Sequence, residues 1–344
     1  MRHGAVGPAL APALAHVAGG GTLDAEASAR LFEAIMRGDI AEDDLARFLI
    51  TQADRGPTVE EIVGAARAMR GAMRAVAAPP GAIDLCGTGG DGLGTLNIST
   101  AVSFVVAAAG VPVAKHGNRA ASSKSGAADI LEAMGIRIDL EPADAARVLE
   151  QAGIVFLFAQ THHPAMRHVG PVRRRIGRRT IFNLLGPLAS PARVTRQLVG
   201  IFARDWLQPY AEALRALGAE QAWVVHGADG LDEMSISGPT HVATLEDGRI
   251  ALRTVTPEDA GLSRWPLAAI AGGTAAHNAA ALDRLLDGNG DPAYHDIVLL
   301  NAAAALVVAG KTASLRDGAA LADSLIRGGR ARAMFNALHS ASNA

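Results

Sequence analysis

Residues 87–100 read GTGGDGLGTLNIST, and this stretch decides how the rest of the chain is interpreted. It holds five glycines within eight residues. It follows the apolar, strand-like residues 83–86 and precedes a helical pattern over residues 99–109. Glycine lets the backbone approach an anion closely and adopt positive φ, while the following helix offers free N–H groups and the positive end of its dipole. The order of strand, glycine loop and helix therefore predicts a phosphate-binding loop.

Gly87, Gly89 and Gly92 also satisfy the G-x-G-x-x-G spacing of a nicotinamide-binding loop, a rival from another class of enzyme. That site needs an acidic residue near the end of the second strand to hold the ribose, about 20 residues further on. Here the second strand ends in KHGNR at residues 115–119, which suits phosphates better than a ribose diol. The nucleotide P-loop also fails, because no Gly-Lys-Ser/Thr follows. A glycine-rich turn without a ligand remains the third alternative.

A second polar cluster, KHGNRAASS at residues 115–123, leaves the next predicted strand. In a parallel sheet it emerges at the same carboxyl edge as the glycine loop, where open α/β folds bind ligands. Lys115 offers a point charge, and Asn118 offers both donors and an acceptor. Taken alone, Lys115 or His116 is more typical of an ordinary surface group. Together the two loops predict one anion-binding crevice.

Two adjacent carboxylates, Asp232 and Glu233, follow the strand-like residues 221–226 and the turn 227–230. Carboxylates on such a loop are hard oxygen ligands suited to Mg²⁺, which usually shares its shell with water and substrate phosphates. By itself the pair is more typical of a solvated acidic turn. Beside two phosphate-binding loops it predicts a Mg²⁺ site, because a polyanionic substrate near carboxylates needs a cation between them.

Five arginines fall within residues 171–179. Most arginines in such a segment form a solvated helix face or pair with acidic residues, and nucleic-acid binding is an alternative that the net charge does not support. At least one of them is a candidate for binding a substrate carboxylate. Gly186-Pro187 gives a rigid bend beside the same region.

The composition narrows the class of protein. The chain has 344 residues, 49% of them hydrophobic and 19% charged, so it can bury a substantial core and divide into two unequal domains. A net charge of −2 argues against a dedicated nucleic-acid binder. One cysteine excludes an internal disulfide framework and suits the cytoplasm. We expect no secretory signal, because Pro8, Pro12 and His16 interrupt the alanine-rich N-terminal stretch. We expect no membrane span, because the longest apolar stretches, 101–114 and 297–310, are too short or are interrupted by Asn301.

The first eighty residues carry only helical patterns, and a capping box from Thr58 to Glu61 opens the last of them. Pro79-Pro80-Gly81 then marks a domain boundary, after which short β patterns alternate with helices. The predicted strands are 83–86, 111–115, 154–158, 221–226, 240–245 and 249–254, and the predicted helices are 25–36, 45–50, 62–76, 99–109, 125–134, 144–151, 292–309 and 315–327. Asp247-Gly248 predicts a hairpin between the last two strands. These patterns predict an α/β protein with a small all-helical N-terminal domain and a large domain whose mainly parallel sheet is flanked by helices.

Four motifs occur in one order and spacing: GTGGDGLGTLNIST, KHGNRAASSKSG, HHPAMRHVGPVRRRIGRRTIFNLLGPL and GLDEMS. Together they resemble the anthranilate phosphoribosyltransferase family, which performs the second step of tryptophan biosynthesis, and the resemblance covers nearly the whole chain. It implies a nucleoside phosphorylase/phosphoribosyltransferase-like fold. The helical small domain would comprise residues 1–80, completed by residues 165–190, and the α/β domain residues 81–344. It also implies a homodimer formed through the small domains.

The resemblance implies site residues as well. Phosphoribosyl pyrophosphate would be held by Gly87, Gly90, Asp91, Thr95, Asn97, Ile98, Ser99, Thr100, Lys115, His116, Gly117, Asn118, Arg119, Ala120, Ala121, Ser122, Ser123 and Ala127. Mg²⁺ would be held by Ser99, Asp232 and Glu233. Anthranilate would contact Gly87, Asn118 and Arg173, with His116, His163 and Gly186 lining its approach. Ala127 departs from the serine that many members have, so a side-chain hydrogen bond to the phosphoribosyl donor is absent there.

The implied reaction is displacement of pyrophosphate from the anomeric carbon by the aromatic amine, with inversion. An aniline nitrogen is neutral at pH 7, so positioning and stabilisation of the leaving group carry the catalysis and no residue is assigned as general base. The alternatives are a nucleoside phosphorylase or a phosphoribosyltransferase with another acceptor, a nicotinamide-dependent dehydrogenase, and a non-catalytic nucleic-acid binder.

Overall fold

The computed structural model describes residues 10–120 and 124–344. The predictions that concern Pro8, Ala121, Ser122 and Ser123 lie outside these residues. Within the described ranges, none of the helices is both long and apolar enough to cross a membrane.

Helices alone make up the N-terminal part: α1 (Ala11–Ala18), α2 (Ala25–Arg37), α3 (Glu42–Arg55) and α4 (Val59–Ala72). The predicted capping box opens α4, because the Thr58 hydroxyl accepts from the Glu61 N–H and the Glu61 carboxylate accepts from the Thr58 N–H. Helices α2 and α4 cross closely at Gly64, where a Cβ would lie 2.3 Å from the backbone oxygen of Ala25. The prediction of an all-helical N-terminal part is confirmed.

A single seven-stranded sheet follows, with its strands in the order β3-β2-β1-β4-β5-β6-β7. The strands are β1 (Ile83–Gly87), β2 (Val113–Gly117), β3 (Ile154–Phe158), β4 (Arg196–Gly200), β5 (Gln221–Gly227), β6 (Thr240–Glu246) and β7 (Arg249–Val255). Neighbours from β3 to β5 pair in parallel, and β6 and β7 are antiparallel additions. The predicted mainly parallel sheet is confirmed.

Helices cover both faces of this sheet, as the alternating pattern predicts. The helices that follow β1 along the chain are α5 (Ile98–Ala108), α6 (Ala127–Ala133), α7 (Pro142–Ala152), α8 (Ala159–His162), α9 (Gly170–Ile176), α10 (Phe182–Leu188), α11 (Leu207–Ala216), α12 (Ala275–Leu286), α13 (Pro292–Val308), α14 (Leu315–Arg327) and α15 (Arg330–Ser342). Short 3₁₀ turns lie at Pro164–His168, Arg204–Trp206, Pro257–Ala260 and Leu267–Ile270.

Two apolar clusters form the interior. One lies on the sheet face covered by α5, α13 and α15, and its large members include Phe104 and Ile130. The other joins α2, α3 and α4 to α9 and α10 and extends to α11 and the opposite face of the sheet, through residues such as Val199 and Val224. The N-terminal helices therefore share a core with the segment around residues 169–189.

The register of the sheet places the predicted loops at one edge. Gly87, the last residue of β1, pairs with Gly200, the last residue of β4. Strand β2 ends at Gly117 on the other side of β1, and β5 runs parallel to β4. The segments that follow β1, β2, β4 and β5 therefore leave the sheet together, at its carboxyl edge.

Candidate active site

The glycine loop and the segment carrying Asp232 and Glu233 pack directly against each other. The Gly89 N–H donates to Asp232 Oδ2 at 2.8 Å. A Cβ at Gly87 would lie 2.5 Å from the same carboxylate oxygen, and a Cβ at Gly200 would lie 1.5 Å from the Asp232 backbone oxygen. Side chains are thus excluded at two strand ends so that the carboxylate can sit between them.

Three carboxylates converge there, since Asp91 of the glycine loop faces Asp232 and Glu233. Burial, together with the neighbouring Asp91 and Glu233, raises the pKa of Asp232 well above its usual range. Burial also raises the pKa of Glu233 to about 7, although Lys115 and hydrogen bonds from Ser99 oppose the shift. Burial and mutual repulsion therefore outweigh the positive charge that Lys115 supplies to this cluster.

These residues fit a magnesium ion. Asp232, Glu233 and the Ser99 hydroxyl are hard oxygen donors, and the two carboxylates are crowded by a third. In the part of the chain that the structure describes, no group of three or more His, Cys, Asp or Glu side chains could by itself hold a metal. A site with only two carboxylates and a hydroxyl is typical of Mg²⁺, which takes one or two carboxylates and completes its shell with water and substrate phosphate oxygens.

Lys115 lies in β2 and is buried, with its ammonium group beneath the glycine loop. Its Nζ donates to the Leu85 backbone oxygen and to Ser99 Oγ, the second at 3.0 Å. The ammonium group therefore supports the strand end and the first turn of α5. Lys115 is therefore not the ordinary surface group that is more typical of a lysine taken alone.

A segment that the sequence analysis missed closes the other side of the glycine loop. Asn278 on α12 is buried, donates its amide to Asn97 Oδ1 at 2.8 Å and accepts from the Gly273 N–H at 2.7 Å. Thr95 forms a β-bridge with Ala271. A Cβ at Gly272 would lie 2.4 Å from the Thr95 backbone oxygen. The pair Gly272-Gly273 before a helix was the available signal.

The segment after β2 is braced from α6. Asn118 is exposed, and its side-chain oxygen accepts from the Arg119 N–H. Arg119 forms ion pairs with Glu132 at 2.7 Å and with Asp129 at 3.1 Å. The Asp129 carboxylate also accepts from the N–H groups of Ala120 and Gly126. The Arg119 side chain is therefore engaged by two acidic residues of α6.

Several predicted donor-binding positions have no exposed side chain to offer. Ile98 and Thr100 are buried on α5, so these two positions can offer an anion only their backbone groups. Ala127 is the first residue of α6. Gly90 has positive φ, and its backbone oxygen accepts from Arg179, whose guanidinium lies 4.2 Å from the ring centroid of Phe202.

Two of the predicted acceptor-side groups form a buried pair of rings. His116 and His163 have ring centroids 5.1 Å apart. His116 Nδ1 lies 3.1 Å from the Gly186 backbone oxygen, so the structure brings His116, His163 and Gly186 together. Burial lowers the pKa of His116 well below its usual range, and burial with neighbouring His162 lowers the pKa of His163 to about 4. Both rings are therefore neutral at pH 7.

Arg173 lies on α9, and its guanidinium stands 5.6 Å from the ring centroid of Phe182. Among the described residues no acid lies within ion-pair distance of Arg173, whereas its neighbour Arg175 pairs with Asp43 at 3.0 Å. Burial lowers the pKa of Arg173 from its usual value. A partly desolvated guanidinium without an acidic partner is suited to receive a carboxylate from a ligand.

Comparison with known proteins agrees with this geometry. The chain matches the model "Glycosyl transferase family, helical bundle domain" over residues 11–73 and "Glycosyl transferase family, a/b domain" over residues 79–332. It is 55% identical to the anthranilate phosphoribosyltransferase of Rhodopseudomonas palustris over 328 residues, which cover 95% of this chain and 96% of that protein. The chain belongs to the anthranilate phosphoribosyltransferase family. It is thus an enzyme of the glycosyltransferase class, as predicted.

Solved anthranilate phosphoribosyltransferases share the fold along the whole chain. The Thermus thermophilus enzyme superimposes with a TM-score of 0.91 at 42% identity, covering 96% of this chain and 99% of its own. The Saccharomyces cerevisiae enzyme, whose structure is a complex with phosphoribosyl pyrophosphate and Mg, superimposes with a TM-score of 0.89 at 25% identity, covering 99% of both chains. The family excludes the dehydrogenase and nucleic-acid-binder alternatives.

Proposed function

We propose that the crevice at the carboxyl edge of the sheet is where this enzyme transfers the phosphoribosyl group of phosphoribosyl pyrophosphate to the amine of anthranilate. The products are N-(5-phosphoribosyl)anthranilate and pyrophosphate, in the tryptophan pathway. The observation that carries this assignment is the packing of Asp232 and Glu233 against the glycine loop and the first turn of α5, because it joins acidic and anion-binding groups in one place.

The glycine loop and the start of α5 would hold the pyrophosphate part of the donor. Backbone N–H groups of this loop can approach phosphate oxygens closely because no Cβ intervenes, and the α5 dipole favours negative charge. Lys115 adds positive charge from beneath. The Asn97 side-chain oxygen accepts from Asn278, and the Asn97 side-chain NH2 group would bind phosphoribosyl pyrophosphate.

Asp232, Glu233 and Ser99 would hold Mg²⁺, with support from the raised pKa values of the two acids. When bound, the ion would offset the charge that develops on the leaving pyrophosphate. Two residues hold these carboxylates in place by hydrogen bonds. The Gly89 N–H donates to the Asp232 carboxylate, and Ser99 donates to that of Glu233.

The acceptor would lie between the His116 and His163 pair and Arg173. The neutral rings offer an uncharged wall that does not attract the anthranilate carboxylate as a cation would, and the Arg173 guanidinium would receive that carboxylate through two parallel hydrogen bonds. The amine is uncharged at pH 7 and needs no strong base. Catalysis would therefore depend on holding the nitrogen against the anomeric carbon.

The proposal is tested by following the intrinsic fluorescence of anthranilate after adding phosphoribosyl pyrophosphate and Mg²⁺. We expect fluorescence to fall with time and to remain constant when either the donor or the metal is omitted. A phosphoribosyltransferase with another acceptor would leave the signal unchanged. The same assay with aniline, which has no carboxylate, measures how strongly the acceptor site requires that group.

The arrangement of the chain supports a further part of the proposal. Residues 1–80, completed by 165–190, would act as a small domain beside the α/β domain of residues 81–344, in the cytoplasm. Helices α1 and α3 border an open cavity of about 240 Å³ lined by Leu14, Ala15 and Phe48. The apolar part of this surface, which is bordered by the ion pair of Asp44 and Arg47, supports a homodimer formed through these helices. Light scattering on the parent and on Ala15→Glu would test it, with loss of the dimer expected in the variant.

A further inference from the structure

Helix α13 carries one polar side chain in the middle of an otherwise apolar, buried surface. Asn301 is fully buried, and its neighbours on the same helix face, Ile297 and Val298, are equally inaccessible. A buried amide is unfavourable unless its donors and acceptors are all used. The hydrogen bonds of this side chain therefore indicate which backbone groups it positions.

The Asn301 side chain forms hydrogen bonds with both polar backbone groups of one residue, Met234. Its Oδ1 accepts from the Met234 N–H at 2.9 Å, and its Nδ2 donates to the Met234 backbone oxygen at 3.0 Å. The second Nδ2 hydrogen is used by the Ile297 oxygen of the same helix, at 2.9 Å. This two-sided contact fixes the position and the orientation of the Met234 backbone, as a neighbouring strand would.

Met234 directly follows Glu233, and the preceding end of the acidic pair is held as well. The Leu231 N–H donates to Asp229 Oδ1 at 3.2 Å, and the Leu231 oxygen accepts from the Gly227 N–H at 2.8 Å. Asp232 and Glu233 therefore lie between Leu231 and Met234, whose backbones are both held by hydrogen bonds. Without that restraint, the mutual repulsion of Asp91, Asp232 and Glu233 would favour a wider loop.

We infer that Asn301 is a positioning residue for the two carboxylates: by clamping Met234 it holds Asp232 and Glu233 at the glycine loop before any cation arrives. It touches neither substrate nor metal, and it acts through the backbone. The inference rests on the proposed function, because it concerns the carboxylates assigned there to Mg²⁺. Its consequence is that removing the clamp weakens metal-dependent donor binding and leaves acceptor binding unchanged.

The informative variant is Asn301→Leu, because leucine has nearly the same shape and suits a buried helix. Calorimetric titration of phosphoribosyl pyrophosphate at several Mg²⁺ concentrations, without anthranilate, measures the effect independently of turnover. We expect donor affinity at a fixed Mg²⁺ concentration to fall by about tenfold, the loss to shrink as Mg²⁺ is raised, and the Michaelis constant for anthranilate to change less than about twofold.

The matched control is Ser28→Ala, which removes another buried hydrogen bond, from the Ser28 hydroxyl to the Glu61 oxygen, far along the chain from the loop. It should lower the melting temperature without changing the Mg²⁺ dependence. An equal change of Mg²⁺ dependence in both variants would show a general structural effect and overturn the inference.

A comparison of combined variants separates this inference from the function on which it rests. Asp232→Asn alone should weaken the Mg²⁺ dependence, and Asn301→Leu added to Asp232→Asn with Glu233→Gln should change donor binding less than about twofold, because both clamped carboxylates are then gone. If Asp232→Asn has no effect, the proposed metal role fails. If it has its effect but Asn301→Leu has none, only the clamp is wrong. Failure of both Asn301→Leu and Asn301→Ala to fold would assign Asn301 to the structure alone.

Discussion

A Cβ atom at Gly200 would stand 1.5 Å from the backbone oxygen of Asp232, so the end of β4 and the acidic segment approach too closely for any side chain. We expect Gly200→Ala to destabilise the protein by about 3 kcal/mol or more and to reduce turnover strongly, because the segment holding Asp232 must move. Gly238→Ala is the control, since a Cβ there meets nothing within 4 Å. Denaturant unfolding and steady-state kinetics on both variants provide the test, and equal behaviour would contradict the packing.

The acidic pair yields a prediction about metal use. Asp232→Asn combined with Glu233→Gln should abolish most turnover and leave the fold intact, because both changes keep side-chain volume and remove charges that repel each other. Activity is measured across a Mg²⁺ titration, and melting temperature confirms folding. A folded double variant with the parent's activity and metal dependence would remove these residues from the mechanism.

Arg173 yields a prediction about acceptor choice. Hydrogen bonds to charged groups contribute about 1.5–3 kcal/mol, so Arg173→Ala should raise the Michaelis constant for anthranilate roughly 10- to 100-fold if binding is near equilibrium. Arg173→Lys should recover only part of the loss, because lysine lacks the planar fork. The exposed neighbour substitution Arg174→Ala serves as control.

Aniline separates carboxylate recognition from support of the site. It should be a poor acceptor for the parent enzyme and should lose little more with Arg173→Ala. Calorimetry should find the affinity for phosphoribosyl pyrophosphate almost unchanged in that variant. An equal loss for anthranilate and aniline would mean that Arg173 stabilises the site without reading the carboxylate.

Buried His163 predicts a pH dependence of stability. Its pKa is lowered to about 4 in the folded protein, so the unfolded chain binds the proton more readily. The stability that depends on the neutral ring is present above about pH 6.5 and is lost as the pH falls towards 4, by up to roughly 3 kcal/mol. The free energy of unfolding of His163→Phe should therefore decline less steeply over that interval.

The pH dependence of the free energy of unfolding must be compared between His163→Phe and the parent, because Asp84 changes this free energy with pH in the opposite direction. Burial raises the pKa of Asp84 to about 6, so its contribution favours the folded state as the pH falls. Both proteins contain this residue, and its effect cancels in the difference. Parallel curves for His163→Phe and the parent would show that the ring is not protonated on unfolding.

The sequence predicted the fold wherever a local pattern carried the information. The bounds of β3 matched, and β1, β5, β6 and β7 were each one residue longer than predicted, whereas β2 lies at Val113–Gly117, two residues later than the predicted strand 111–115. Strand β4 escaped prediction, although it lies at the centre of the sheet. Its sequence RQLVG opens with Arg196 and Gln197 and is too short to show a period, so only pairing with β1 and β5 defines it.

The candidate site, like the fold, was predicted only where a local sequence motif carried the information. Motifs identified the glycine loop and the acidic pair, but the groups that hold them are distant in the chain: Asn278 reaches Asn97 across 181 positions, and Asn301 reaches Met234 across 67. Neither belongs to a motif with a local signature. Arg119 was predicted to contact the donor from its place in such a motif, and its partners on α6 became visible only in three dimensions.

The attachment of α9 has a consequence for redesign of the enzyme. Arg175 pairs with Asp43 on α3, and Phe182 packs on Phe32 with ring centroids 5.6 Å apart, so the segment that carries Arg173 is anchored to the N-terminal helices. The glycine loop instead adjoins α5, which packs in the other apolar cluster. We therefore expect an exchange of residues 165–190, made together with their helical support, to alter acceptor preference, provided that Arg179 is kept, because its guanidinium donates to the Gly90 backbone oxygen of the glycine loop.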